Sequence, residues 1–272
     1  MTNKQLVSYS REFKFIGVIL MNKPFHLPMR VILRCFRSDS LQSLACGIVG
    51  AIVPVLLAGA GPVDQRLLVQ SQSRARVMTR MGIVATSQTL ASQAGVQVLD
   101  RGGNAIDAAI AANAVLGVVE PGANGMGGDL FAIFYEAKTG KLYGLNSSGW
   151  APAKLTVDLL KSKGIEKMPG SGIHSVTVPG AVAGWDALRK RFGTLEFATI
   201  LAPAIYYAEN GYPVTDRIGG GWQLASGLKK HPNSVHTYLP GGRAPHGGEM
   251  FRNPDLANSL RLVAAEGRDG YY

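Results

Sequence analysis

The stretch 102–131 constrains the fold more than any other part of the chain. Gly103 ends a glycine pair that can close one helix, and Asn104 can cap the next, with Asp107 three residues on as the acidic partner of a capping box. From 105 to 118 the side chains are almost all Ala, Ile, Val, Leu or Asn, which leaves no broad polar face for solvent. We therefore predict a helix over 105–118 that is buried on most sides.

A glycine-rich loop and a strand follow this helix. Pro121 ends the helix, because proline disfavours helical geometry in the residue before it. Residues 122–128 carry four glycines, including Gly127 and Gly128. The apolar and aromatic run that begins at Asp129 predicts a strand. The expected order is buried helix, tight loop, buried strand.

The glycine loop could cradle an anion with its backbone amides, but the pattern favours a structural turn. It matches neither the Walker A motif nor G-x-G-x-x-G, because Leu130 stands where the last glycine would be. A phosphate loop also follows a strand and opens a helix, whereas this one follows a helix and opens a strand. Asp107 could be catalytic by residue type, but its third helical position favours a cap. We assign a structural motif to Gly103, Asn104, Asp107, Gly127, Gly128 and Asp129.

The remaining sequence alternates between helices and short strands. Residues 82–86 are predicted as a strand, with Ser87 as the cap of a helix that runs to Arg101. A turn at 138–141 and a return strand at 142–145 complete a hairpin. Such an order indicates a layered α/β domain. Further helices are predicted over 156–163, 181–191, 201–208 and 253–266, and glycines and prolines predict a loop over 219–248.

The formal net charge of +10 comes mostly from the N-terminal part. Residues 1–80 hold 11 Lys and Arg against 3 acidic residues, whereas the rest holds 17 against 15. A nucleic-acid-binding protein should carry its basic patch on the folded domain. The composition therefore argues against a nucleic-acid partner.

The N-terminal residues have the pattern of a secretory signal peptide. An uncharged apolar run at 44–58 follows three arginines and leads to an A-x-A site that ends at Ala60. We expect 1–60 to be a leader that is cleaved after Ala60, with Met29 as the true translation start, and 61–80 to be a linker. The product would be periplasmic or secreted, with membrane contact only through the signal peptide. The alternative is an uncleaved anchor, although the run is shorter than the ~20 residues of a spanning helix.

Several kinds of site are not indicated. Both cysteines, Cys35 and Cys46, lie in the leader, so the mature chain would have no disulfide, thiolate nucleophile or cysteine metal site. No G-x-S-x-G motif points to an α/β-hydrolase triad. His231 and His236 fall in the predicted loop and lack the helical i, i+4 spacing of H-E-x-x-H zinc sites. We expect solvated histidines, and neither a metal nor another cofactor.

The globular part contains a series of different short sequence motifs. They are 82–87 (GIVATS), 102–109 (GGNAIDAA), 127–131 (GGDLF), 151–153 (APA), 178–180 (VPG) with 184–185 (GW), 192–195 (FGTL), and 201–204 (LAPA) with 210–212 (NGY). Over residues 81–272 this order resembles that of the γ-glutamyltranspeptidase family. The resemblance implies an N-terminal-nucleophile hydrolase, an αββα sandwich made as a precursor that cleaves itself into a large and a small subunit.

The resemblance also implies a mechanism. In that family the first threonine of the small subunit attacks the γ-glutamyl amide, with its own α-amine as base. The acyl group passes to water or to an amino acid, and glutathione is the typical donor. The chain resembles only the first part of the large subunit. This implies an incomplete sandwich, no catalytic residue in the chain, inactivity of the fragment alone, and a missing small-subunit segment as its partner. The sequence also allows a non-catalytic exported module that keeps the scaffold for binding.

One departure from the family concerns the acyl site. Typical members carry Phe-Arg-Glu before Met-Ala-Pro-Ala, and the arginine holds the substrate α-carboxylate in a bidentate contact. Alignment on 151–153 places Ser147, Ser148 and Gly149 at those positions. The resemblance thus implies a site for a γ-glutamyl or other acyl amide at Ser147, Ser148 and Trp150, closer to amidase- or acylase-like relatives. Trp150 could line an apolar acyl pocket or be a core tryptophan.

Overall fold

A computed structural model describes residues 77–170 and 172–272, and the compact unit considered below runs from Arg80 to Tyr272. The leader, its cleavage site, both cysteines and residues 61–76 of the linker lie outside the described residues. In the part that is described, no helix combines the length and the apolar character needed to span a bilayer.

Helices supply most of the core of this unit. Buried apolar side chains come mainly from α1, α2, α4, α5 and α8, and two short antiparallel sheets pair β1 with β2 and β3 with β4 within the described residues. The elements in chain order are α1 (Thr89–Asp100), α2 (Ala105–Val119), β1 (Leu130–Glu136), β2 (Lys141–Ser147), α3 (Val157–Ser162), α4 (Ala181–Phe192), α5 (Phe197–Asn210), β3 (Tyr212–Pro213), α6 (Asp216–Gln223), α7 (Pro232–Tyr238), β4 (Met250–Phe251) and α8 (Pro254–Glu266).

Helix α2 is the central helix that the sequence predicts. The Asn104 side chain accepts hydrogen bonds from the backbone N–H groups of Ile106 and Asp107, and the Asp107 carboxylate accepts one from Asn104 N–H at 2.9 Å. Eleven of the 15 residues are buried, because apolar side chains surround the helix. The helix packs against α1, α4 and α5. The predicted capping box and the burial on most sides are confirmed, and the helix is one residue longer than expected.

Glycines allow α1 and α2 to approach each other closely. A Cβ at Gly95 of α1 would lie 3.1 Å from the carbonyl oxygen of Ala108 in α2. A Cβ at Gly103 would lie 2.8 Å from the carbonyl oxygen of Val98. The contact at Gly95 would be tighter than most that a Cβ makes, so the close approach of α1 to α2 favours glycine there. The contact at Gly103 would be too short for any Cβ, so glycine there allows the tight turn that closes α1.

Strands β1 and β2 form the predicted hairpin, with Leu130 opposite Ser147 in antiparallel register. Side chains alternate between the two faces. The face that carries Leu130 packs against the helical core. The other face is open and carries Phe131 (51% exposed), Ile133 (53%) and Tyr135 (59%).

The strand predicted at 82–86 is wrong for the described residues. The segment forms no backbone–backbone hydrogen bond among them, and a strand requires a neighbouring strand to complete its ladder. The predicted cap of α1 is displaced by one residue. Gln88 replaces Ser87 as the N-cap, and its side chain accepts a hydrogen bond from Leu90 N–H at 2.5 Å.

The loop predicted over 219–248 is also wrong, because the helices α6 and α7 occupy much of it. Helix α6 contains three consecutive glycines, which have weak helix propensity. Tertiary packing outweighs that propensity: the Trp222 ring of α6 lies 4.7 Å from the Phe251 ring of β4. Helix α7 begins at Pro232, a position that proline tolerates in a helix.

The other predicted helices are present with shifted ends. Helices α3, α4, α5 and α8 overlap the predicted ranges, and α5 begins four residues before the predicted start at Leu201. Side-chain caps explain two of the starts. Thr156 accepts a hydrogen bond from Leu159 N–H at 3.2 Å, and Asn253 accepts one from Leu256 N–H at 3.1 Å.

Candidate active site

The predicted substrate-site residues lie where β2 leaves the hairpin and meets the chain before α4. We call residues 147–150 and 177–181 the β2–α4 junction. The Ser147 hydroxyl donates a hydrogen bond to the carbonyl oxygen of Gly180 at 2.7 Å. Val178 N–H donates one to the carbonyl oxygen of Trp150 at 2.9 Å. The Ser147 side chain therefore holds the junction together and is not free to contact a ligand.

Gly149 makes the junction possible. It has φ of +74°, and a Cβ there would lie 1.8 Å from the carbonyl oxygen of Val178. A Cβ at Gly180 would lie 2.2 Å from the carbonyl oxygen of Ser147. Side chains cannot fit between these backbone atoms, so glycine at both positions fixes the two segments against each other.

Ser148 and Trp150 present side chains that the described residues do not engage. The Ser148 backbone is fixed, because its N–H donates to Asn146 Oδ1 at 3.0 Å and its carbonyl accepts from the Thr177 hydroxyl at 3.4 Å. No described residue is hydrogen-bonded to the Ser148 hydroxyl. Trp150 is 86% exposed and is not part of the core. A neutral hydroxyl and an apolar ring therefore stand on a rigid backbone, where they can contact a ligand.

The glycine loop reaches the same junction. The carbonyl oxygen of Gly128 accepts hydrogen bonds from Gly180 N–H and Ala181 N–H, both at 3.0 Å. The Tyr271 hydroxyl donates to the carbonyl oxygen of Met126 at 3.0 Å. Burial, with a smaller contribution from a neighbouring tyrosine, raises the pKa of Tyr271, so this hydroxyl remains a donor. The loop is thus held from two sides as a structural turn, and it brings Gly127, Gly128 and Asp129 close to Ser147, which lies opposite Leu130 in the hairpin.

A cavity of about 830 Å³ lies beside the glycine loop. Glu120 in its wall accepts hydrogen bonds from the Ser87 hydroxyl at 2.6 Å and from the Asn124 amide at 3.2 Å. Asp129 and Arg217 also line the cavity, and neither side chain forms a hydrogen bond or ion pair with any described residue. Sequence reasoning missed Arg217 because no motif surrounds it, and its position beside the glycine loop arises only in the folded chain.

The capping-box residues lie at the opposite end of α2 from the glycine loop. A helix of 15 residues is about 22 Å long. Asp107 is fully buried, and its carboxylate accepts hydrogen bonds from the backbone N–H and the hydroxyl of Thr194 at 3.1 and 2.6 Å. The predicted capping role of Asp107 is confirmed, and the same carboxylate also ties α2 to the turn between α4 and α5. Gly103, Asn104 and Asp107 are therefore structural and lie outside the candidate site.

The described histidines do not take part in a metal-binding cluster. Within residues 77–170 and 172–272, no three His, Cys, Asp or Glu side chains are placed to share a metal ion. His231 and His236 are exposed, as expected. His236 lies on α7 instead of in the predicted loop, because the loop prediction missed that helix.

Residues 91–272 match the family model described as Gamma-glutamyltranspeptidase. The chain belongs to the γ-glutamyltranspeptidase family. It is 41% identical over 192 residues to the glutathione hydrolase-like YwrD proenzyme of Bacillus subtilis (strain 168). The aligned region covers 70% of this chain and 36% of that relative. The chain therefore spans about a third of the length of this relative.

Solved structures of the γ-glutamyltranspeptidase family share the fold. The Helicobacter pylori γ-glutamyltranspeptidase is 34% identical, with a TM-score of 0.68 over 72% of this chain and 58% of that one. The cephalosporin acylase from Bacillus halodurans is 44% identical, with a TM-score of 0.66 over 74% of this chain and 40% of that one. The predicted fold class, the mixed α/β arrangement of N-terminal-nucleophile hydrolases, is confirmed.

Proposed function

We propose that the full-length protein is a self-processing amide hydrolase or acyltransferase, and that this chain forms the first part of its large subunit. The observation that carries the proposal is the family match over residues 91–272. Relatives named as a glutathione hydrolase-like proenzyme and as a cephalosporin acylase support acyl transfer from an amide as its chemistry. Since the chain spans about a third of the curated relative, the remainder of the precursor would supply the nucleophilic threonine and the oxyanion hole.

The β2–α4 junction would contribute to the acyl site. Ser148 stands where typical family members carry the arginine that holds the glutamyl α-carboxylate. A neutral hydroxyl in place of a guanidinium loses roughly 1.5 to 3 kcal/mol of binding free energy, or about tenfold to over a hundredfold in affinity. The exposed Trp150 ring offers apolar contact instead. The preferred substrate would therefore be an amide with an apolar acyl group, and γ-glutamyl amides would be poorer substrates.

The small-subunit segment would cover the open face of the hairpin. Phe131, Ile133 and Tyr135 on that face are each more than half exposed. Two sheets that pack face to face bury such residues in a layer about 10 Å thick. Without that layer the 272-residue chain would be inactive, because neither the nucleophile nor a complete site would be present.

The test uses the product of the full-length gene. We expect it to appear as two fragments on a denaturing gel and to hydrolyse a phenylacetyl anilide faster than a γ-glutamyl anilide, whereas the 272-residue chain should do neither. Absence of both self-cleavage and turnover would overturn the proposal in favour of a non-catalytic module. Export belongs to the same proposal: N-terminal sequencing of the secreted protein should begin at Gly61.

A further inference from the structure

Helix α4 begins at the β2–α4 junction without a side-chain cap of its own. Its N-cap residue is Gly180, which forms no side-chain hydrogen bond. A larger residue does not fit there, because a Cβ would lie 2.2 Å from the carbonyl oxygen of Ser147. The first N–H groups of a helix have no partner within the helix. They must therefore be satisfied by groups from other parts of the chain.

The Tyr272 hydroxyl takes the place of the missing cap. It accepts a hydrogen bond from Ala183 N–H at 3.3 Å and donates one to the carbonyl oxygen of Pro179, directly before the N-cap, at 2.5 Å. A serine or threonine N-cap also accepts from the N–H of the second or third helical residue, and Ala183 is the third residue of α4. Tyr272 thus caps α4 from a position 89 residues away in the sequence.

The neighbouring residue, Tyr271, holds the glycine loop. Its hydroxyl donates to the carbonyl oxygen of Met126 at 3.0 Å. The rings of Tyr271 and Tyr272 meet edge to face, with their centroids 5.0 Å apart. The loop and the β2–α4 junction also meet directly at the carbonyl oxygen of Gly128. Two adjacent side chains therefore brace two segments that lie side by side.

The turn that carries the two tyrosines is supported by α8. Gly270 lies directly on that helix, because a Cβ there would lie 2.7 Å from the carbonyl oxygen of Leu262. Tyr271 N–H donates to the carbonyl oxygen of Arg268 at 3.0 Å. The Arg268 guanidinium lies over the Tyr272 ring, 5.3 Å from its centroid. These contacts fix the positions from which the two hydroxyls reach the loop and the junction.

We propose that Tyr271 and Tyr272 are positioning residues for the acyl site, which hold the glycine loop and the β2–α4 junction in a fixed arrangement. The inference rests on the proposed function, because it takes these two segments to be walls of that site. The residue that Tyr272 holds, Pro179, follows Val178, whose N–H donates to the carbonyl oxygen of Trp150. Without either hydroxyl a wall of the site is less restrained, and substrate binding must order it at a cost in affinity. The expected effect is a higher KM.

The test compares Tyr271→Phe and Tyr272→Phe in the processed full-length protein. Each substitution removes one hydroxyl and keeps the ring. We expect each to raise KM for a phenylacetyl anilide roughly threefold to tenfold, the equivalent of a lost hydrogen bond. kcat should change less than about twofold, because the nucleophile belongs to the remainder of the precursor.

Tyr206→Phe is the matched control for both substitutions. Tyr206 lies on α5 and is 59% exposed, and its hydroxyl forms no hydrogen bond within the part of the chain that the structure describes. Loss of this hydroxyl should leave both KM and kcat unchanged. An equal rise in KM for the control and the two variants would overturn the proposal, because the effect would not depend on contacts with the loop and the junction.

Amide hydrogen exchange, resolved by residue, tests the contact independently of turnover. Tyr272→Phe leaves Ala183 N–H without its acceptor, so this amide should exchange at least about tenfold faster. Tyr271→Phe should leave the exchange of Ala183 unchanged, because its hydroxyl contacts the glycine loop instead. Unchanged exchange in the Tyr272 variant would overturn the cap and the proposal with it.

The two measurements together separate positioning from stability alone. Faster exchange at Ala183 with an unchanged KM would show that Tyr272 only stabilises α4, and would overturn the positioning role while the proposed function stands. Absence of turnover by the unaltered full-length protein would overturn the proposed function, and the positioning role with it. Faster exchange together with a raised KM is the result that the proposal requires.

Discussion

Replacement of Gly149 by alanine tests how the β2–α4 junction is held. Gly149 has φ of +74°, and the new Cβ would lie 1.8 Å from the carbonyl oxygen of Val178. The left-handed conformation costs alanine about 1–2 kcal/mol, partly offset by the lower entropy of its unfolded chain. The backbones must also separate by roughly 1 Å or more, which breaks the hydrogen bond from Val178 N–H to Trp150 and adds about 1–3 kcal/mol. We expect the Gly149→Ala substitution to lower the free energy of unfolding by about 3 kcal/mol in total.

Gly164→Ala is the matched control. Gly164 has φ of +70°, but a Cβ there would meet no atom within 4 Å. This variant should therefore lose only about 1 kcal/mol, from backbone conformation alone. Urea unfolding of the full-length protein, followed by circular dichroism, compares the two if the slope with denaturant is unchanged. Equal losses for the Gly149 and Gly164 variants would show that the junction is not fixed by the close approach of its backbones.

Three further predictions concern single side chains. Asp107→Ala leaves buried N–H groups without their acceptor and should lower the free energy of unfolding by about 2–4 kcal/mol. Asp107→Asn keeps one acceptor oxygen and should lower it by roughly half as much. Equal losses for the two variants in urea unfolding would contradict this. Hydrogen bonds from the Arg243 guanidinium, and then from backbone, lower the pKa of Glu249 from 4.5 to about 2. The contribution of the Arg243–Glu249 pair to stability is therefore present above about pH 4.5 and is lost as pH falls towards 2. Arg243→Gln should raise the pKa of Glu249 in an NMR titration. An unchanged pKa would refute the contact. Ser148→Arg restores a guanidinium and should raise kcat/KM for a γ-glutamyl anilide at least about tenfold relative to a phenylacetyl anilide, whereas an unchanged ratio would remove Ser148 from the acyl site.

Secondary-structure elements that depend on interactions between residues close in sequence could be predicted from the sequence. The capping box at Asn104 and Asp107 satisfies its own backbone donors within one helical turn, so residue types three apart were enough to place the start of α2. The near absence of polar side chains over 105–118 likewise required burial on most sides, whichever elements provided it. The hairpin of β1 and β2 needs only two alternating runs and a short turn, and it is present as predicted.

Elements that depend on contacts with residues far away in the sequence could not be predicted in this way. Residues 82–86 have a strand's alternation but no ladder in the described fold, because a ladder depends on a neighbour that sequence pattern does not specify. Helix α6 forms despite its glycines because Trp222 packs against Phe251, which lies 29 residues further along the chain.

The same distinction between local and distant interactions applies to the candidate site. The sequence marked Ser147, Ser148 and Trp150 by their place in a motif, but only the folded chain shows that the Ser147 hydroxyl is committed to Gly180 while Trp150 is exposed. Arg217 lines the cavity without any sequence signal. Local pattern determines secondary structure where a segment satisfies its own hydrogen bonds. The role of each side chain depends on contacts between residues far apart in sequence, and those contacts are set by tertiary packing.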